Sequence, residues 1–241
     1  MTRTMLAAAF IAAFVAAAPL GAADAVNTLT DKEKADGWKL LFDGQTTKGW
    51  HGYNQTSVPE GWAVKDGALT RVAKTTDIVS DEEFENFALQ FDWKLAQNGN
   101  SGVFYHVIES PKYKEVYFTG PEYQLLDNEG HPDGKNGPDR FSGANYALHA
   151  PSQNTVHTPG EWNQSRIVVN NGHVEHWLNG VKVVEYELWS SDWKTRVANS
   201  KFKAWPDYGM AKAGRLALQE HGFEVAFRNI KIKPLPGKGT N

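Results

Sequence analysis

The sequence predicts an all-β sandwich, and three observations carry that prediction. Apolar residues recur with period two rather than 3.6, most clearly in Phe87-Ala88-Leu89-Gln90-Phe91-Asp92-Trp93-Lys94-Leu95, where every odd position is apolar. The alternating runs are short and separated by turn dipeptides, among them Asp43-Gly44, Asp66-Gly67 and Asn179-Gly180. Helical periodicity is confined to Thr30 to Ala35, with Thr30 as N-cap, and to Asp81 to Glu85.

A strand buries alternate side chains, so Phe87 to Leu95 turns its odd positions to a core and Gln90, Asp92 and Lys94 to solvent or a cleft. Further strands are expected at Val103 to Ile108, Glu122 to Leu126, Arg166 to Val169, His173 to Leu178, Val181 to Tyr186, Arg215 to Leu218 and Phe223 to Ile232. Asn179-Gly180 falls between two of them and supplies the left-handed residues of a two-residue hairpin. Asp127 to Ser142, and roughly Trp189 to Met210, read as long irregular stretches, which in a compact domain are commonly functional. The tail from Pro234 to Asn241 is expected to be mobile.

Of 241 residues, 41% are hydrophobic and 22% charged, a balance that builds a core and argues against extended disorder; one domain is expected over 26–241. A net charge of −3 offers no basic surface to a phosphate backbone, so nucleic acid is not an expected partner. Residues 1–25 combine Arg3, an apolar stretch from Met5 to Leu20 and small residues Ala23-Asp24-Ala25, the pattern of a cleaved export signal; this predicts a periplasmic or secreted protein. That stretch is short of the roughly 20 apolar residues a span needs, and no transmembrane segment is expected. The chain has no cysteine, which removes disulfides, thiol nucleophiles, thiolate metal sites and lipid attachment together.

Nine tryptophans supply rings that fill cores and also stack on sugars. Trp93 belongs to a core face, while Trp189, Trp193 and Trp205 lie in loop-like sequence where ligand contact competes with packing.

The most informative segment runs from Thr119 to Asn128. In a strand Glu122 and Gln124 share a face, and a β-bulge near Leu125 or Leu126 would bring Asp127 round to it. The spacing resembles the E-x-D-x-x-E strand of laminarinase-type glucanases, whose carboxylates flank the scissile bond. Here the middle acid is Gln124 and the last is the shorter Asp127, so ordinary double displacement is not expected. Asn98-Gly99-Asn100-Ser101-Gly102 is a polar turn opening a strand, either a plain turn or a row of hydroxyl-binding groups. Alternation sets Arg215, Gln219 and His221 opposite Leu216 and Leu218, giving a strand one polar face. His176 is the second histidine expected near such a cleft, and Arg166 is expected to balance a carboxylate or hold a sugar oxygen. The sequence requires no cofactor: H-E-x-x-H, cysteine pairs and EF-hand loops are absent, and a divalent cation such as calcium has no motif to support it.

Taken in order, Leu40-Leu41-Phe42-Asp43-Gly44 with Trp50, Trp62-Ala63-Val64-Lys65-Asp66-Gly67-Ala68-Leu69 and Phe84-Glu85-Asn86-Phe87 resemble the 3-keto-disaccharide hydrolase domain family. The resemblance continues through Asn100-Ser101-Gly102, Gly120-Pro121-Glu122-Tyr123-Gln124, Gly160-Glu161-Trp162-Asn163, His176-Trp177-Leu178-Asn179-Gly180, Gln219-Glu220-His221-Gly222 and Phe227-Arg228-Asn229-Ile230. It spans about Gly37 to Lys233 and implies a concanavalin A-like jelly roll of two curved antiparallel sheets with a concave sugar face. It further implies a glycoside or oligosaccharide substrate oxidised at C3, and hence a functional link to a sugar 3-dehydrogenase. A C3 ketone acidifies the C2 hydrogen, so a base and an acid suffice without a covalent nucleophile. On this reading Glu122 is general base or acid, and His221 is its proton-transfer counterpart or an enolate donor. Asn100, Gln124, Asp127, Arg166, His176 and Gln219 form the expected substrate-binding set. A non-catalytic carbohydrate-binding module and a conventional β-glucan glycosidase remain the competing readings.

Overall fold

The computed structural model describes residues 25–237. Apart from Ala25, the expected export signal lies outside the described residues, as does the tail beyond 237. In chain order the strands are β1 Lys39–Leu40, β2 Trp50–Gly52, β3 Trp62–Lys65, β4 Ala68–Arg71, β5 Ile78–Phe84, β6 Phe87–Leu95, β7 Asn100–Val107, β8 Glu122–Leu126, β9 Asn163–Asn170, β10 His173–Leu178, β11 Val181–Glu187, β12 Gly214–Leu218 and β13 Val225–Pro234. Two α-helices, α1 Asp31–Ala35 and α2 Ser191–Ala198, complete the regular structure with a few 3-10 turns.

The larger sheet holds eight strands in the order β11-β10-β9-β6-β13-β4-β3, with β1 beside β13; the smaller runs β2-β5-β12-β7-β8. All pairings are antiparallel, and the two sheets stack into the expected β-sandwich. Phe91 and Trp93 of β6, Phe227 of β13 and Tyr123 of β8 are buried in the core, each such ring worth about 1.5–3 kcal/mol of burial. Trp93 also donates from its indole N–H to Ser165 Oγ at 2.8 Å. Two predicted hairpins form as the dipeptides require: Asp66 and Gly67 (φ 51° and 72°) join β3 to β4, and Asn179 and Gly180 (φ 48° and 83°) join β10 to β11.

Local expectation and structure part company at Asp81 to Glu83 and at Trp189 to Met210. Asp81 to Glu83 belong to β5 rather than to a helix, because β5 is paired on both flanks, by β2 and β12, and that ladder overrides a weak local preference. The Trp189 to Met210 stretch contains α2, capped by Ser190 Oγ accepting from Trp193 N–H at 3.1 Å. Trp193 from this helix stacks between Tyr186 and Tyr208, and Tyr208 stacks in turn on Phe202, so the segment is anchored by aromatic packing. Among the described residues, no helix is long and apolar enough to cross a membrane.

Candidate active site

Tyr123 fixes which way β8 faces. Its hydroxyl lies 2.8 Å from Ser165 Oγ on the opposite sheet and donates to the Trp177 carbonyl at 3.0 Å. Alternation then turns Glu122 and Gln124 away from the core, into a cavity of about 530 Å³ on the outer face of the smaller sheet. That volume falls in the range of small-molecule sites, roughly 300–1,000 Å³.

The strand registers set the floor. Gly102 pairs with Gln124, Gln219 N–H donates to the Gly102 carbonyl at 2.9 Å, and Leu218 pairs with Ile78, the residue after Asp77. Gln124, Gly102, Gln219 and Asp77 therefore make one row across four strands, and each of the three side chains lines the cavity. Gly102 leaves a gap in that row. The Glu122 carboxylate fills it, because a Cβ at Gly102 would overlap Glu122 Oε1. Asn100, at the start of β7, and His221, beyond the end of β12, extend the lining. The walls come from connections: Tyr117 from the β7–β8 loop, Tyr146 from the segment after β8, and Lys201 and Phe202 from the segment after α2.

Glu122 is only 6% exposed. Loss of water pushes its carboxyl up to about 8; the Lys201 ammonium opposes the shift, while Asp77 and Asp133 add to it. Among the described residues, none hydrogen-bonds to that carboxylate. Asp77 is pushed up to about 7 by burial, against the Glu220 N–H that it accepts at 2.7 Å and with the help of the Glu115 and Glu220 charges. Glu220 itself is paired with Arg71 at 2.5 Å. Burial lowers Lys201, whose ammonium sits 4.2 Å from the Tyr146 ring centre; the Arg140 guanidinium lies 4.8 Å from the same ring. His221 is exposed at the rim, edge-on to His131 at 6.2 Å between ring centres.

Of the residues singled out by sequence, the cavity brings together Glu122, His221, Asn100, Gln124 and Gln219. Three lie elsewhere. β8 keeps a regular register with β7, so there is no bulge to rotate Asp127, which instead accepts from Asn98 N–H (2.8 Å) and Gly130 N–H (3.0 Å) and ties two turns together. Arg166 stands on the exposed outer face of the other sheet, between the register partners Gln90 and Trp177. His176 is fully buried in the core; burial lowers it to about 3, and its Nδ1 lies 3.0 Å from the Gly143 carbonyl. Among the described residues, no tryptophan lines the cavity; its aromatic surface includes Tyr53, Tyr117, Tyr146 and Phe202, while Trp193 is core.

Sequence reasoning missed Asp77, Lys201 and Tyr146. None of the three carried a period-two signal: around Asp77 the run Asp77-Ile78-Val79-Ser80-Asp81 places polar and apolar residues on both parities, and an acidic run follows.

Among the described residues, the acids and histidine that line the cavity do not form a grouping of three ligand atoms within 4.8 Å of one another. Among the described residues, the one grouping with three ligand atoms within 4.8 Å of one another is His173, Glu175 and Glu185, on β10 and β11. There the Lys182 ammonium already holds Glu175 at 3.3 Å and Glu185 at 2.7 Å.

The fold and cavity define a two-sheet β-sandwich that carries an acid in a polar cavity on its smaller sheet. The chain belongs to the 3-keto-alpha-glucoside-1,2-lyase-like domain family, whose pattern matches residues 37–233. It is 36% identical over 230 residues to a 3-keto-disaccharide hydrolase of Bacteroides thetaiotaomicron, covering 83% of this chain and 79% of the relative. Among solved structures it resembles a candidate glycosyl hydrolase of Parabacteroides distasonis at 44% identity and a TM-score of 0.84, covering 88% of this chain and all of that one. A second Parabacteroides distasonis candidate glycosyl hydrolase gives 30% identity and a TM-score of 0.65 over 82% and 99% of the two chains.

Proposed function

We propose that this protein cleaves the glycosidic bond of a 3-keto-glucoside or 3-keto-disaccharide by proton abstraction at C2, elimination of the C1 substituent and addition of water. The carrying observation is Glu122, a buried carboxyl without a protein hydrogen-bond partner among the described residues, facing a cavity lined by Asn100, Gln124, Gln219 and His221. A carboxyl raised to about 8 holds its proton at neutral pH, which suits an acid that protonates a departing oxygen. His221, at the rim, donates toward the enolate oxygen that develops at C3, and the three amides hold sugar hydroxyls. Asp127, Arg166 and His176 take no part.

The relative from Bacteroides thetaiotaomicron and the family assignment support this substrate class. A sugar 3-dehydrogenase would supply the ketone, and the pattern of residues 1–25 supports export to the periplasm or beyond. The test is incubation of matched disaccharides, oxidised and unoxidised at C3, in deuterium oxide. Cleavage of the keto form alone, with deuterium at C2, is the expected result. Cleavage without C2 label points to direct displacement at C1, and binding without any product points to a lectin-like role.

A further inference from the structure

Resting on that reading, we infer that Asp77 is the base that removes the C2 proton, working across the bound sugar from Glu122. The elimination needs two proton-transfer groups in opposite states, one to take a proton from carbon and one to give a proton to oxygen. Glu122 fills the second role, and the cavity offers a specific partner for the first.

Asp77 and Glu122 share the floor of one cavity but enter it from different strands. The Glu122 carboxylate lies over Gly102 of β7, and Asp77 precedes β5, two strands away in the order β5-β12-β7. Two strand spacings amount to about 10 Å between backbones, room for one pyranose ring between the two side chains. Asp77 is held from both ends: its Oδ1 accepts the Glu220 N–H at 2.7 Å, and its own carbonyl accepts the Tyr53 N–H at 2.8 Å. The neighbouring Glu220 is occupied by Arg71 and by the Gly222 N–H, so its charge is committed elsewhere. Asp77 therefore presents a fixed carboxylate edge whose second oxygen is directed at no protein donor among the described residues.

The proton count closes over a full turnover. Ionised Asp77 takes the C2 hydrogen, and the C–H electron pair forms the enolate of the C3 ketone. The enolate collapses to a C1–C2 double bond as the C1–O bond breaks, and protonated Glu122 delivers its proton to the departing oxygen. Glu122, now ionised, takes a proton from water as the hydroxyl adds to C1. The Asp77 carboxyl exchanges its proton with solvent and then protonates C2, so both carboxyls regain their starting states with net consumption of one water and C2 takes up solvent hydrogen.

The two residues are separable by experiment. In deuterium oxide with a 3-keto disaccharide, Asp77→Asn is expected to lose C2 exchange and cleavage together, by about 10²–10⁴-fold, even with an aryl 3-ketoglucoside whose phenolate leaves without protonation. Glu122→Gln is expected to keep C2 exchange into unreacted substrate while losing release of the alcohol, and to regain release with the aryl substrate. Wild-type exchange in Asp77→Asn, or rescue of that variant by the aryl leaving group, overturns the assignment. Should the wild type cleave with no C2 label, the elimination reading fails first; should it label normally while Asp77→Asn also labels, only Asp77 falls. Asparagine keeps an acceptor for the Glu220 N–H, and sugar binding by the variant checks its fold. If Asp77→Asn does not fold, Asp77→Glu decides: exchange retained at an altered rate supports the base, and unaltered exchange and release overturn it.

Discussion

The Glu122 carboxylate occupies the space that a side chain at Gly102 would fill, one strand over from its own backbone. This contact moves an acid from the edge strand β8 toward the middle of the sheet, into a row flanked by Gln124 and Gln219. Glycine at 102 is thus a requirement of the site rather than of the backbone.

Gly102→Ala should separate folding from activity. The group displaced is the far end of a flexible side chain, so the stability cost should stay within about 1 kcal/mol. Glu122 must swing away from the sugar, and kcat/KM should fall by on the order of 10²-fold. Thermal melting alongside kinetics reads both, and an alanine variant with full activity would show that the placement of Glu122 over Gly102 is immaterial.

Glu122→Gln should abolish turnover of a disaccharide substrate and leave binding measurable by calorimetry. It should also change how stability depends on pH. Because burial raises the folded carboxyl from 4.5 to about 8, the native state binds more protons than the unfolded state between those values, and stability falls as pH rises through that window. Glutamine removes that component. Urea unfolding at pH 5 and pH 8 should show the variant gaining on the wild type at the higher pH.

Lys201→Met should move the alkaline limb of the rate profile. The Lys201 ammonium holds Glu122 below where burial alone would put it. Without that charge Glu122 stays protonated to higher pH, so kcat should persist further into the alkaline range. A limb that stays in place would mean that Glu122 does not set it.

His176→Ala should behave as a core mutation. It should cost about 2–4 kcal/mol by leaving a cavity among Tyr105, Tyr123 and Tyr186, with KM unchanged at a permissive temperature. In the wild type this imidazole is neutral in the folded state and lowered to about 3, so the unfolded state binds the extra proton first. Its contribution is present above the ordinary histidine value near 6.5 and is lost as pH falls from there toward 3. Acid unfolding curves of wild type and variant should converge in that range.

What the sequence made legible follows the reach of local signals. Period two found β6, β8 and the β9 to β11 meander, and it put Glu122, Gln124 and Gln219 on cavity-facing sides. It read only one side of β6 as buried, whereas Asp92 is also enclosed, held by the Asn229 amide at 2.7 Å and by Arg228 at 3.3 Å. It lost β5, because Asp81, Glu82 and Glu83 mimic a helical first turn and only the flanking strands reveal the ladder; with β5 went Asp77. The expected bulge at Leu125 or Leu126 failed for a similar reason: an unbroken pairing with β7 leaves Asp127 nothing to rotate it. His176 was ambiguous by nature, since a polar residue on an inward face is legible as core only once its aromatic neighbours are known. Family segments, by contrast, carried over with their order intact, from residue 37 to residue 233.

Tyr117, Tyr146, Lys201 and Phe202 reach the cavity from the connections around the sheet rather than from its strands. Insertions, deletions and exchanges in those stretches can redraw the outline of the entrance while the floor, and the bonds that set it, stay as they are. Relatives built on this plan can therefore diverge in which aglycone they admit without renegotiating how the bond is broken, and grafting one such stretch between two of them should carry preference with it.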